Sequence, residues 1–183
     1  MGGITDILTQ VRRAKAAILS ELQAEALRAG ADAAAVVENR IVSTGKTAEG
    51  RRLSPYSTTP VPAFFFLGRS RNNKGEKAIQ GKAKRREPVS YREFRQLNGL
   101  NVTHKNLEFT GEMWQGFGVT GAKVLRTGVV EVTIGGKNER TRTLLGYHSE
   151  REKTEITSPS RAEIAQIKAG IVSRLQKIID RYV

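Results

Sequence analysis

The chain reads as an α+β protein: a long helix at each end, a small antiparallel sheet with a β-hairpin, and an extended basic insertion. Three observations predict it. Ile7, Val11, Ala14, Ile18, Leu22 and Ala26 recur at helical spacing near the start. Val130, Val132 and Ile134 alternate behind a turn signal at Arg126-Thr127-Gly128. Ile164, Ile167, Ile171, Leu175, Ile178 and Tyr182 follow at spacings of 3, 4, 4, 3 and 4.

Residues 1–42 form the N-terminal helical region of a single unit spanning 1–183. Thr5 is placed to cap the first helix, and Asp6 sits in its first turn, where negative charge suits the helix dipole. Lys15 and Glu25 fall on the apolar face, so its burial is expected to be partial. Gly30 costs about 1 kcal/mol inside a helix, which predicts a break or kink there. Asp32 would then cap a second piece through Val36, Val37 and Ile41.

Residues 43–89 read as an irregular basic insertion. Gly45, Gly50, Pro55, Pro60 and Pro62 punctuate its first part. Phe64, Phe65, Phe66 and Leu67 then make an apolar plug, either a short buried strand or a patch that docks on another subunit. From Gly68 to Pro88 apolar anchors are sparse, which predicts a segment that orders only on a partner. Ser90–Leu97 is expected to be a short helix with Tyr91, Phe94 and Leu97 on one face, ended by Asn98-Gly99. Trp114, at the end of the Leu107–Met113 segment, is expected to be buried against the sheet or a neighbouring subunit.

The hairpin pairs Gly118–Leu125 with Val129–Ile134. Asn138–Ser149 reads as a short helix or ordered loop, and Thr154–Thr157 as a third strand. Ser160 and Glu163 have the spacing of a capping box, with Ser158-Pro159 offering a slightly earlier start, for a C-terminal helix about 33 Å long.

Charge narrows the function classes. The chain holds 31 Lys and Arg against 18 Asp and Glu, a net +13, which points to a polyanionic or acidic partner. Gly68–Arg95 alone carries ten Lys or Arg and three Glu. There is no cysteine, hence no disulfide or thiolate site. No apolar run is long enough to span a bilayer, and no signal peptide is evident at the N-terminus.

Chemistry-bearing motifs are sparse. His104 and His148 stand far apart without accompanying ligands, so no metal is predicted. Gly45-Lys46-Thr47 resembles the end of a phosphate loop, but Arg40 stands where the motif needs its first glycine. No nucleophile elbow occurs. No catalytic residue, cofactor or enzymatic activity is expected. Nucleic-acid binding is the rival reading: Lys82, Lys84, Arg85 and Arg86 would meet phosphates, with Tyr91 or Phe94 stacking on bases. No sequence-specific nucleic-acid-binding signature accompanies them.

One resemblance is more specific. Asn106-Leu107-Glu108-Phe109-Thr110-Gly111-Glu112-Met113 resembles the Thr-Gly-x-Leu/Met segment of phage virion-morphogenesis and tail-completion proteins. In that family a hairpin, a His- or Tyr-containing stretch and a Pro/Ser-x-Arg helix start follow. Val119–Ile134, Gly146-Tyr147-His148 and Ser158-Pro159-Ser160-Arg161 resemble these. Gly50–Ser57 resembles the stretch after the family's first helix. Phe64–Leu67 and the basic insertion stand outside the family pattern.

The resemblance implies a structural virion protein: a homo-oligomeric ring at the neck, between head and tail, assembled in the host cytoplasm. Its implied partners are other neck, portal-adaptor or tail proteins, with non-specific contact to DNA in the channel. The alternative is a basic nucleic-acid-binding accessory protein. The candidate interface residues are Phe64, Phe65, Phe66, Lys82, Lys84, Arg85, Arg86, Trp114 and Phe117.

Overall fold

A computed structural model describes residues 4–108, 111–126 and 129–182. Thr127 and Gly128 of the expected turn, and Phe109 and Thr110, lie outside the described residues. The architecture is α+β, with two separate two-stranded antiparallel sheets among the described residues.

Helix α1 runs unbroken over Ile4–Thr44. Thr5 therefore lies inside the helix rather than capping it, and neither Gly30 nor Asp32 interrupts it. The reason at Gly30 is packing against the hairpin of β3 (Phe117–Arg126) and β4 (Val129–Gly136). A Cβ at Gly30 would stand 2.6 Å from Val132 Cγ1 and 3.0 Å from Val119 Cγ2. The glycine lets strand side chains press onto the helix backbone, and that contact outweighs its propensity cost.

The expected hairpin is present. Val119 pairs with Ile134 and Val124 with Val130, with register shifts between Val119 and Gly121 and between Val124 and Arg126. Helix α4 (Glu112–Gln115) precedes it and α5 (Glu139–Glu152) follows. Asn138 caps α5 by accepting from the Thr141 N–H at 2.8 Å.

Thr154–Thr157 is not a strand. It is a turn whose Ile156 is fully buried in the main core, with its carbonyl bonded by Arg40 at 3.0 Å.

Helix α6 spans Arg161–Tyr182. The capping box forms as expected: Ser160 Oγ accepts from the Glu163 N–H at 3.2 Å, and Glu163 Oε2 accepts from the Ser160 N–H at 2.6 Å. The same carboxylate takes Arg40 at 2.6 Å. Arg174 meets Asp32 at 3.0 Å and Glu25 at 2.7 Å, and Arg181 meets Glu21 at 3.5 Å. These pairs lay α6 antiparallel along α1. Its apolar stripe is only partly covered: Ile178 is 3% exposed, whereas Ile164 is 38% exposed.

The main core gathers Val37, Ile41, Leu53, Trp114, Phe117 and Ile156 with their neighbours. Each fully buried aliphatic side chain there contributes roughly 1.5–3 kcal/mol. A second core lies within the stretch expected to be irregular. Strand β1 (Pro60–Pro62) pairs antiparallel with β2 (Pro88–Ser90). Between them come a 3₁₀ turn, Ala63–Phe66, and helix α2 (Asn73–Lys84); α3 (Tyr91–Leu97) follows.

The expectation that Gly68–Pro88 needs a partner to order is therefore corrected. Its three apolar contributors, Ala78, Ile79 and Ala83, fall on one side of a helix, and Ile79 is fully buried in a cluster with Ala63, Val89 and Phe94. Asn72 caps that helix, accepting from the Gly75 N–H at 2.7 Å. Gly75 allows α2 to approach Asn98, whose Oδ1 lies 2.5 Å from where a Cβ would stand.

Candidate functional site: an aromatic and basic face

The Phe64–Leu67 plug splits between the two readings the sequence allows. It is a 3₁₀ turn rather than a strand, and its side chains diverge. Phe66 turns inward and stacks on Phe94, with ring centroids 4.5 Å apart and planes at 16°. Phe64 and Phe65 turn outward, 59% and 53% exposed, with centroids 4.5 Å apart. Leu67 beside them is 41% exposed. The inward ring anchors the turn, so the two outward rings are displayed on a fixed base.

Helix α2 supplies the charge. At 100° per residue, Lys74, Lys77 and Lys84 share one face, opposite the face carrying Ile79 and Ala83. All three lysines are exposed and form no ion pair among the described residues. Arg86 and Arg69 are likewise exposed and without a carboxylate partner there.

Of the four basic residues predicted as a group, only Lys84 and Arg86 are available. Lys82 is held by Glu87 at 3.2 Å and Glu93 at 3.0 Å, and Arg85 by Glu87 at 2.5 Å. The Arg85 and Lys82 hydrogen bonds hold the Glu87 carboxyl down at about 2. The bonds Lys82 donates to Glu93 and Glu87 push its own pKa up. Lys82 thereby ties the end of α2 to α3, while Arg85 and Glu87 pair within the turn between α2 and β2.

Trp114 and Phe117, also predicted as interface candidates, are each 5% exposed in the main core. Their rings meet edge to face at 5.7 Å, and Trp114 Nε1 donates to the Asn106 carbonyl at 3.3 Å. Trp114 is thus buried within the chain itself. Sequence reasoning counted Lys74 and Lys77 in the basic run but did not single them out. The signal that would have done so was the Asn72 cap followed by Ile79 and Ala83 at helical spacing.

The two cores meet along a polar seam. Arg95, 1% exposed, lies over the Tyr56 ring at 4.1 Å. Its guanidinium donates to the Asn101 carbonyl at 3.1 Å, the Glu108 carbonyl at 2.8 Å and Asn106 Oδ1 at 3.0 Å. Tyr56 Oη donates to Asn106 Oδ1 at 2.9 Å.

Nearby, Lys105 and Glu152 form a buried pair at 2.8 Å. Burial pushes Glu152 up, but bonds from Lys105 and Ser54 overcome that and hold it below the usual carboxylate range. His104 faces the Val42 carbonyl at 2.9 Å. Burial, with Lys105 and Arg151 adding to it, pushes His148 down to about 4, so its imidazole is neutral at pH 7.

Among the described residues no cluster of His, Cys, Asp or Glu is placed to hold a metal, and no helix is long and apolar enough to cross a membrane. No family model, curated protein or solved structure matches the chain.

Proposed function

We propose that this protein is a structural subunit that assembles into a ring at the neck or tail-completion end of a tailed bacteriophage, joining head to tail. The observation that carries the assembly role is the exposed Phe64–Phe65 pair on its anchored turn, in the same small unit as the unpaired lysine face of α2. Two large rings held in water lose hydrophobic stabilisation that a partner surface restores. The unpaired lysines favour an acidic partner. The resemblance of Asn106–Met113 and the following segments to virion-morphogenesis proteins supplies the biological setting.

Size-exclusion chromatography with light scattering tests it. The purified chain is expected to form a discrete oligomer, and the Phe64→Ser/Phe65→Ser variant to remain monomeric with an unchanged circular dichroism spectrum. A chain that stays monomeric at high concentration, and does not join neck or tail partners, contradicts the proposal.

A second reading, a nucleic-acid-binding accessory protein, draws on the same lysine face with its nearby rings, since base–aromatic stacking combined with phosphate neutralisation suits single strands. It requires that Lys74→Gln/Lys77→Gln/Lys84→Gln lowers single-stranded DNA affinity and flattens its salt dependence by about two units of log–log slope.

A further inference from the structure

A cavity of about 500 Å³ opens where α5 faces α3 and the segment leading into α4. From α5 come Arg140, Leu144, Tyr147, His148 and Arg151, at positions i, i+4, i+7, i+8 and i+11 of one helical face. Tyr56, Tyr91 and Arg95 line it from the seam, and Leu107 and Met113 add apolar surface. The volume lies within the range of small-ligand sites.

The charges around this cavity do not balance. Arg140 is answered by Glu112 at 2.9 Å, and Lys105 by Glu152 at 2.8 Å. Arg95 and Arg151 have no carboxylate partner among the described residues. Arg95 is the more telling of the two, because it is almost wholly buried and its hydrogen bonds go only to neutral oxygens. Those bonds use three of a guanidinium's five N–H groups. A buried cation left without a counter-charge is costly, and an anion entering beside it removes that cost. His148 adds an unsatisfied polar group: its Nδ1 is buried with no hydrogen-bond partner among the described residues.

We propose that this cavity is a binding site for an apolar, preferably aromatic, group bearing a carboxylate. The tyrosines, Leu107, Met113 and Leu144 receive the apolar body. Arg95 and Arg151 receive the charge, a guanidinium plane matching the two carboxylate oxygens. Both a free small acid and an acidic-aromatic segment of a partner protein present this chemistry. The site is separate from the Phe64–Phe65 face and does not depend on the ring proposal.

Calorimetric titration of the full chain with N-acetyl-phenylalanine tests it, alongside the uncharged N-acetyl-phenylalanine amide, phenyl phosphate and a doubly capped hexapeptide containing Phe-Glu. N-acetyl-phenylalanine or the hexapeptide is expected to bind with Kd on the order of 1 mM or tighter, and the amide at least about tenfold more weakly. Arg151→Gln and Tyr147→Ala alter exposed side chains, so folding is preserved, and each is expected to weaken binding, Arg151→Gln by about tenfold. Preference for the acid marks a free ligand, and preference for the hexapeptide a partner segment. Measurable and equal affinity for acid and amide, indifference to Arg151→Gln, tighter binding of phenyl phosphate, or failure of both carboxylates to bind overturns the proposal.

Discussion

Arg86 ends α2 in a left-handed conformation, φ 57°, where glycine is the usual occupant. The surrounding bonds make it necessary: Glu87 N–H reaches the Lys82 carbonyl at 2.9 Å and Arg86 N–H the Ala83 carbonyl at 3.1 Å. A side chain there costs about 1–2 kcal/mol, partly offset by the greater entropy glycine loses on folding. Arg86→Gly is therefore expected to stabilise the protein by about 0.5–1 kcal/mol, read as a rise in the denaturant midpoint. Lys105 lies at the opposite extreme. Its 2.8 Å partner Glu152 is equally buried, so Lys105→Met leaves a carboxylate without its counter-ion. The expected loss is about 3–5 kcal/mol in urea unfolding, and Lys105→Met/Glu152→Leu should recover much of it.

At the scale of elements, the decisive contact is the hairpin on α1. Gly30→Ala gains about 1 kcal/mol of helix propensity. It also drives a methyl to 2.6 Å from Val132 Cγ1, a β-branched side chain with little freedom to move. Overpacking of this kind costs about 1–3 kcal/mol, so net destabilisation is expected, with the hairpin amides of β3 and β4 losing hydrogen-exchange protection first. The same helix shows where sequence reading stops. The Ser160–Glu163 box was legible because capping is a contact between near neighbours. The continuity of α1 was not, because what stabilises Gly30 in the helix is Val119 and Val132, about 90 to 100 positions away. Helix α2 was missed for a related reason. Its apolar side is only Ala78, Ile79 and Ala83, and what buries Ile79 comes from Ala63, Val89 and Phe94 on either side of the helix.

Over the whole molecule, the α+β class, a helix at each end and the full length of the C-terminal one were legible, because each helix rests on a periodic stripe. The candidate face was half legible. Composition marked its residues, but only packing separates Phe66 from Phe64 and Phe65, and only the positions of Glu87 and Glu93 remove Lys82 and Arg85 from the free charges. The cavity was not legible at all. Its walls come from four separated stretches around residues 55–57, 91–95, 105–113 and 140–151, and no local pattern links them.

The clamp of Arg40 on Glu163 spans 123 positions. A ribosome adding about 5–20 residues per second takes roughly 6–25 s to cover that interval. Until Ile156 is added, Ala34, Val37 and Ile41 of α1 lack the residue that closes over them, while from residue 97 onward the chain already holds every member of its second small core. The nascent chain thus exists for seconds as a finished basic unit trailing an amphipathic rod that has no groove to lie in. During that window the apolar side of α1 stays in water and is open to non-native contacts. Slowing translation before codon 156 lengthens the exposure without changing a single residue of the final structure.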